Sequence, residues 1–276
     1  MTPTFAAARL TWPHAALADA LASHWPGCAV QVHAELDSTN SALMRRLRDG
    51  VQTPALLVAE VQTAGRGRLG RAWQGGLGDM LSFSLGVPLA VADWSGLSLA
   101  VGLAVAEALH SDIRLKWPND LWWQGRKLAG ILVETAGVGA GTRADAGRGQ
   151  TALRYAVVGV GLNIVRPQGP GFSTPPAGLQ ELLPGIDAPS ALARIAGPLA
   201  HRLRQFEREG FAPLAARFNQ RDALAGQAVR LSDGQVGTAR GVGPDGALLL
   251  HTPTGLQRVT TSEVSVRPLA AMEQNT

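Results

Sequence analysis

AEVQTAGRGRLGRAW, residues 59–73, is the stretch on which the fold assignment turns. It contains Gly65-Arg66-Gly67-Arg68-Leu69-Gly70, a literal GxGxxG that follows an apolar run predicted as a strand at 55–61. A dinucleotide-binding turn also requires a helix to open at the third glycine, and Arg71-Ala72-Trp73-Gln74-Gly75-Gly76 makes a poor first turn. Residues 65–78 are instead expected to form a loop. Its bare glycine amides can approach an anion closely, and Arg66, Arg68 and Arg71 bring positive charge to it, which suits a phosphate. Trp73 offers a flat face on which a purine can stack. The plainer alternative is a solvated basic turn anchored by a tryptophan.

A second constellation follows in LKWPNDL at 115–121 and GRKLAGILVE at 125–134. It holds Lys116 and Lys127, the two lysines of a chain whose other basic residues are all arginine. A compact ammonium at a tight site cannot be replaced by arginine's planar fork, so the pair marks a place where a point charge is needed, unless it is coincidence. Asn119 and Asp120 carry oxygens of the kind magnesium accepts alongside substrate phosphates, or else build an Asx turn. Upstream, Asp37-Ser38-Thr39-Asn40 is a run of N-cap residues. Capping does not prevent the same side chains from binding a polar, uncharged head group. VGVGLNI at 158–164 ends a predicted strand and offers Asn163, as a cleft residue or a turn former.

With 276 residues, 46% of them hydrophobic and 17% charged, the chain is long enough for one large domain with a small appendage. A net charge of +4 without a run of like charges fits an anionic ligand as well as nucleic acid. The lone Cys28 excludes a disulfide framework and any CxxC metal site. The longest apolar stretch, 97–109, contains Glu107 and falls short of the roughly 20 residues of a membrane span. No basic segment followed by an apolar core opens the chain, so a reducing, cytoplasmic setting is expected. GxxxxGK[ST], HExxH and GxSxG are absent, and the six histidines lack metal-ligand spacing.

Periodicity predicts helices at 14–25, 41–48, 95–110, 191–209 and 211–221, and strands at 29–36, 80–87, 113–117 and 155–164. A hairpin is expected from 121–123 and 128–134 around Gln124-Gly125-Arg126. Residues 136–150 read as a mobile surface loop, and 166–177, with four prolines, as a second irregular stretch. From 227 to 266 short alternating runs separated by Asp233-Gly234, Pro244-Asp245-Gly246 and Pro253-Thr254-Gly255 suggest a small antiparallel barrel, too small to stand without leaning on its neighbour. The boundary is placed at 222/223.

LDSTN at 36–40, AEVQTAGRGRLGRAW, LKWPNDL, GRKLAGILVE and VGVGLNI, in that order and spacing, together resemble the biotin protein ligases. The resemblance covers 36–164 densely and the terminal segment loosely. It implies an α+β architecture: a catalytic domain at 1–222 with a mixed sheet flanked by helices, of the class II synthetase or biotin ligase kind, and a small SH3-like β-barrel at 223–276. It further implies that biotin and Mg-ATP form biotinyl-5′-adenylate and that a lysine of a biotin carboxyl carrier protein or domain then takes the biotin, with no prosthetic group. By similarity, Ser38, Thr39, Asn40 and Gln62 contact biotin, and Gly65, Arg66, Gly67 and Arg68 lie on a loop closing over the carboxylate and adenylate. Lys127 bridges carboxylate and α-phosphate, with Arg68 and Lys116 as its catalytic partners. Trp73 stacks on adenine; Arg71, Lys116, Asn119 and Asp120 serve the phosphates, the last two also magnesium; and Asn163 contributes at the nucleotide.

Only 36 residues precede Asp37, too few for the winged helix-turn-helix of the repressor members, so a ligase without DNA binding or membrane attachment, monomeric or homodimeric, is expected. Two rivals remain at this level. One is a lipoate or octanoate ligase or transferase of related fold. The other is an arginine-rich nucleic-acid-binding protein, against which the barrel segment offers only Arg230, Arg240, Arg258 and Arg267 and no aromatic residue for base stacking.

Overall fold

The computed structural model describes residues 10–137, 153–260 and 265–269; from residue 138 onward, the loop predicted at 136–150 lies outside the described residues. At the centre of the fold is β2 (Ala55–Gln62), whose unbroken apolar run is buried on both faces. Leu56 and Val58 join the larger core, while Ala55 and Leu57 join a smaller one, so both faces select apolar side chains and the usual alternation disappears. The strand pairs in parallel with β1 (Ala29–Leu36) and antiparallel with β3 (Met80–Leu89). Next come β7 (Arg154–Asn163), β6 (Arg126–Gly137), β5 (Asp120–Trp123) and β4 (Arg114–Lys116), all antiparallel. The result is a seven-stranded mixed sheet in the order β1-β2-β3-β7-β6-β5-β4.

Helix α2 (Thr39–Arg48) covers one face, setting Leu43 and Leu47 against Leu57, Tyr155 and Val157. The other face is covered by α1 (His14–Ala22), α3 (Leu97–Leu109) and α4 (Ala188–Glu209), whose apolar residues belong to the larger core. α3 is apolar almost all round because it is packed against strands of the sheet and against α4, which leaves it little wet surface.

Boundaries moved where local chemistry overrode the periodicity. α4 begins at Ala188, three residues before the expected start, because Asp187 accepts a hydrogen bond from Ser190 N at 2.8 Å and Pro189 fits the first turn. The helix expected at 211–221 is broken near Pro213 into a 3-10 turn at Ala212–Leu214 and α5 (Ala215–Gln220). The β5/β6 hairpin turns on Gln124 and Gly125 alone, with φ of 49° and 73°, as a two-residue connection with both central residues left-handed demands.

A second sheet holds β8 (Ala228–Leu231), β9 (Val236–Val242), β10 (Leu248–Thr252), β11 (Gly255–Val259) and β12 (Val266–Pro268) in the order β11-β10-β9-β8-β12. It does lean on its neighbour. Trp117 Nε1 donates to Gly246 O at 3.0 Å, and Asn219 Nδ2 donates to Val242 O at 3.1 Å. Gly246 presses so close to Gly96 that a Cβ there would stand 2.8 Å from the Gly96 Cα. Ala223, where the sequence divides, lies between α5 and β8, and its amide donates to Leu115 O at 2.8 Å.

Candidate active site

The fold gathers the separate motifs around one cavity of about 530 Å³. Every residue singled out from the sequence for biotin, nucleotide or catalysis lines it, apart from Gly65, which shapes the loop behind Trp73.

One end of the cavity is a buried polar corner at the N-terminus of α2. Ser38 has extended backbone, and its Oγ accepts from Ser41 N at 3.4 Å, so the predicted cap is present. Thr39 N donates to Gln62 Oε1 at 2.8 Å, tying the helix to the end of β2. Ser84 Oγ donates to Asn40 Oδ1 at 2.6 Å and lies 2.7 Å from Thr39 Oγ1. Asn40 Nδ2 donates to Leu132 O at 3.2 Å and to Glu134 Oε2 at 2.9 Å. Room for Asn40 comes from Gly159, where a Cβ would stand 2.1 Å from Asn40 Oδ1.

The arginine loop crosses the cavity. Gly67 N donates to Arg71 O at 2.7 Å and Trp73 N to Gly65 O at 2.8 Å, so the loop folds back on itself. Arg66 Nη2 donates to Ser41 Oγ at 2.9 Å on one side, and Arg68 Nη1 to Asn119 Oδ1 at 3.0 Å on the other. Trp73 lies over Gly161, where a Cβ would stand 2.0 Å from Trp73 Nε1, and its buried Nε1 has no hydrogen-bond partner among the described residues.

At the other end, two ammoniums share one carboxylate. Lys127 Nζ is 2.7 Å from Asp120 Oδ1, Lys116 Nζ is 3.8 Å from Asp120 Oδ2, and each lysine faces an indole, Trp73 and Trp122 respectively. Burial pushes the Lys116 ammonium down to about 8, and Lys127, Arg71 and Arg68 push the same way while Asp120 opposes them. Burial lowers the Arg68 guanidinium too. So much positive charge around one carboxylate makes the pocket a sink for anions. Asn163 lines the cavity, and its Nδ2 donates to Lys127 O at 3.3 Å and Ala177 O at 3.0 Å, which holds the backbone under Lys127.

Several residues in the cavity wall or directly behind it escaped the sequence reading. Ser84 was signalled only faintly, as a hydroxyl in the apolar run of β3. Phe172 comes from the proline-rich stretch, and Ser265 and Arg267 come from the second sheet, which no local motif could reveal.

Residues 32–151 match the model of the Biotin/lipoate A/B protein ligase family, and residues 225–267 match the Biotin protein ligase C terminal domain. Fold and pocket therefore define a ligase of the biotin and lipoate attachment class. The biotin–[acetyl-CoA-carboxylase] ligase of Paracoccus denitrificans is 32% identical over 254 residues, covering 84% of this chain and 98% of the relative. The bifunctional ligase/repressor BirA of Escherichia coli is 34% identical over 260 residues, covering 87% and 75%. The biotin protein ligase from Aquifex aeolicus, solved in complex with biotin and ATP, superposes with a TM-score of 0.71 at 27% identity, over 87% of this chain and 99% of that one. Within the class, the chain belongs to the biotin protein ligases.

Proposed function

We propose that the chain joins biotin to ATP and then passes it to a lysine of a carboxylase's biotin carboxyl carrier domain. One observation carries this: Lys127, Lys116 and Arg68 converge on the Asn119–Asp120 pair within one cavity whose far end is a corner lined by the neutral polar side chains of Ser38, Thr39, Asn40 and Gln62. A cavity of that build suits a ligand with a neutral polar head and a carboxylate tail lying beside a polyphosphate.

In the first step a carboxylate oxygen of biotin attacks the α-phosphorus, the bond from that phosphorus to the bridging oxygen breaks, and pyrophosphate leaves. Two anions must approach each other, and Lys127 between them stabilises the developing charge more than the separated reactants. In the second step the neutral amine of the carrier lysine attacks the anhydride carbonyl; the amide forms, AMP departs and a proton is released. Ser38, Thr39, Asn40 and Gln62 hold the head group. Gly65, Arg66, Gly67 and Arg68 cover the anhydride, which a loop can shield from water. Trp73 receives adenine, Arg71 and Lys116 the phosphates, with Arg267 adding a cation from the second sheet. Asn163 acts through the backbone of Lys127.

Magnesium enters with ATP as part of the substrate. Among the described residues no group of three or more His, Cys, Asp or Glu could hold a metal by itself. Asp120 is the one cavity carboxylate among the described residues, and both its oxygens face ammoniums, while Asn119 Oδ1 accepts from Arg68. A single carboxylate fits an ion held chiefly by phosphates and water. No helix among the described residues is long and apolar enough to cross a membrane, and the buried thiol of Cys28 suits a reducing cytoplasm. In this reading residues 1–222 do the chemistry and 223–276 support it, in a monomer or homodimer that binds no DNA.

The test is biotin-dependent exchange of pyrophosphate into ATP, run beside lipoate, followed by mass measurement of an isolated carrier domain. Exchange with biotin and a mass gain on the carrier are expected. Exchange with lipoate alone would overturn the substrate, and no exchange at all would overturn the chemistry.

A further inference from the structure

Glu134, at the far end of β6, belongs to none of the sequence motifs' assigned roles, yet it touches both halves of the machinery. Its Oε2 accepts from Asn40 Nδ2 at 2.9 Å, in the head-group corner. Its Oε1 lies 3.6 Å from Arg66 Nη2, on the arginine loop. The same guanidinium nitrogen donates to Ser41 Oγ at 2.9 Å, one residue along α2 from Asn40. Asn40, Ser41, Arg66 and Glu134 thus form one small network with a single carboxylate at its middle.

We infer that Glu134 is a positioning residue that latches the arginine loop to the head-group corner and so retains the activated intermediate. The geometry specifies how firmly. Arg66 and Glu134 keep 47% and 28% of their side-chain surface exposed, and an ion pair so wet is weak, so the loop is biased toward its closed position without being locked. A latch of that strength lets substrate in and product out. The bond to Asn40 is less exposed, and Asn40 is itself buried and fixed by Ser84 Oγ, which donates to its Oδ1, and by Leu132 O, which accepts from its Nδ2. Glu134 is therefore held in place on the pocket side and can offer its second oxygen to Arg66 on the loop side.

The inference rests on the biotin ligase reading for the word intermediate, but the latch itself is testable without any substrate. Two readouts are taken on the purified full chain, for wild type, Glu134→Ala, Glu134→Gln, Arg66→Ala and the double variant Arg66→Ala/Glu134→Ala. The first is the initial rate of trypsin cleavage after Arg68 and Arg71, the bonds common to every variant, with no ligand present. The second is the half-life of enzyme-bound biotinyl-adenylate, separated from free ligand after it has formed. Glu134→Ala and Glu134→Gln are each expected to speed cleavage by about threefold to fivefold, the range a half-exposed ion pair supports, and to shorten the half-life by a similar factor. Glu134→Gln keeps an oxygen for Asn40, so its biotin affinity falls less than that of Glu134→Ala. In the double variant the losses are smaller than the product of the single ones, because both changes remove one contact. Wild-type cleavage in both Glu134 variants, or losses that simply multiply, would overturn the latch. If wild type forms no adenylate, it is the functional reading that fails, and the cleavage arm still decides on Glu134.

Discussion

Lys127 Nζ lies 2.7 Å from Asp120 Oδ1, across the β5/β6 hairpin that carries both residues. The carboxylate holds the ammonium at the cavity wall, so on the proposed reading the charge is in place before any substrate is bound. An arginine at 127 would keep the charge but not the geometry, since its fork is planar and longer.

Lys127→Arg is therefore expected to slow adenylate formation by about two orders of magnitude, the scale of losing one preorganised electrostatic contact. Single-turnover release of pyrophosphate measures it. A rate within a few-fold of wild type would refute the point-charge role.

The two glycines of β7 separate the halves of the site. Alanine at Gly159 would place its Cβ 2.1 Å from Asn40 Oδ1, and alanine at Gly161 would place it 2.0 Å from Trp73 Nε1. Gly159→Ala should weaken biotin binding by roughly fivefold or more, and Gly161→Ala should weaken ATP binding by a similar factor, each displaced group costing about 1–3 kcal/mol. Calorimetric titration of each ligand into each variant checks the pairing. Equal loss of both ligands in both variants would mean the corner and the indole do not divide the substrates.

Arg68 anchors the loop on the nucleotide side through Asn119 Oδ1 at 3.0 Å. Arg68→Ala should release biotinyl-adenylate to solution about tenfold faster, as expected for the loss of a charged hydrogen bond. Trapping free adenylate after mixing enzyme with biotin and ATP measures the leak, and unchanged retention would count against the loop as a cover.

Asp222, at the junction of the two sheets, has a buried Oδ2 without a partner among the described residues, and burial pushes its carboxyl up to about 6 from an ordinary 3.8, only partly opposed by the Leu224 amide. A raised acid stabilises the fold fully below the unfolded value and loses that contribution as pH rises through the folded one. Between pH about 4 and 6 the unfolded chain has given up this proton while the folded chain still holds it, so stability from this group declines and is gone above that window. Asp222→Asn, which never ionises, should be more stable than wild type at pH 8, by about 1–3 kcal/mol, and the gap should shrink toward pH 4. Urea unfolding at both pH values decides it; a gap that widens on acidification would show that the carboxylate is welcome where it sits.

Much of this protein is legible along the chain. β2 and α3 declare themselves through apolar runs, Ser38 through its cap chemistry, and the 65–78 loop through glycines that no helix or strand tolerates in such number. Lys116 and Lys127 stand out because they are the only lysines. Ser84 gave only a faint signal and Glu134 none, because a serine in a strand and a glutamate near a strand's end are ordinary until a neighbour from another element faces them. Arg267 lies more than a hundred residues from the arginine loop and still lines the same cavity.

Residue type and local spacing thus determined which segments are strands, caps and loops, since propensity, periodicity and turn chemistry act within a few residues. Which side chains share a carboxylate, which glycine leaves space for Asn40, and which loop Glu134 meets were decided only by the sheet order β1-β2-β3-β7-β6-β5-β4 and the seating of the second sheet. Contacts between groups far apart in the chain depend on burial and pairing of whole surfaces, and no local pattern encodes them.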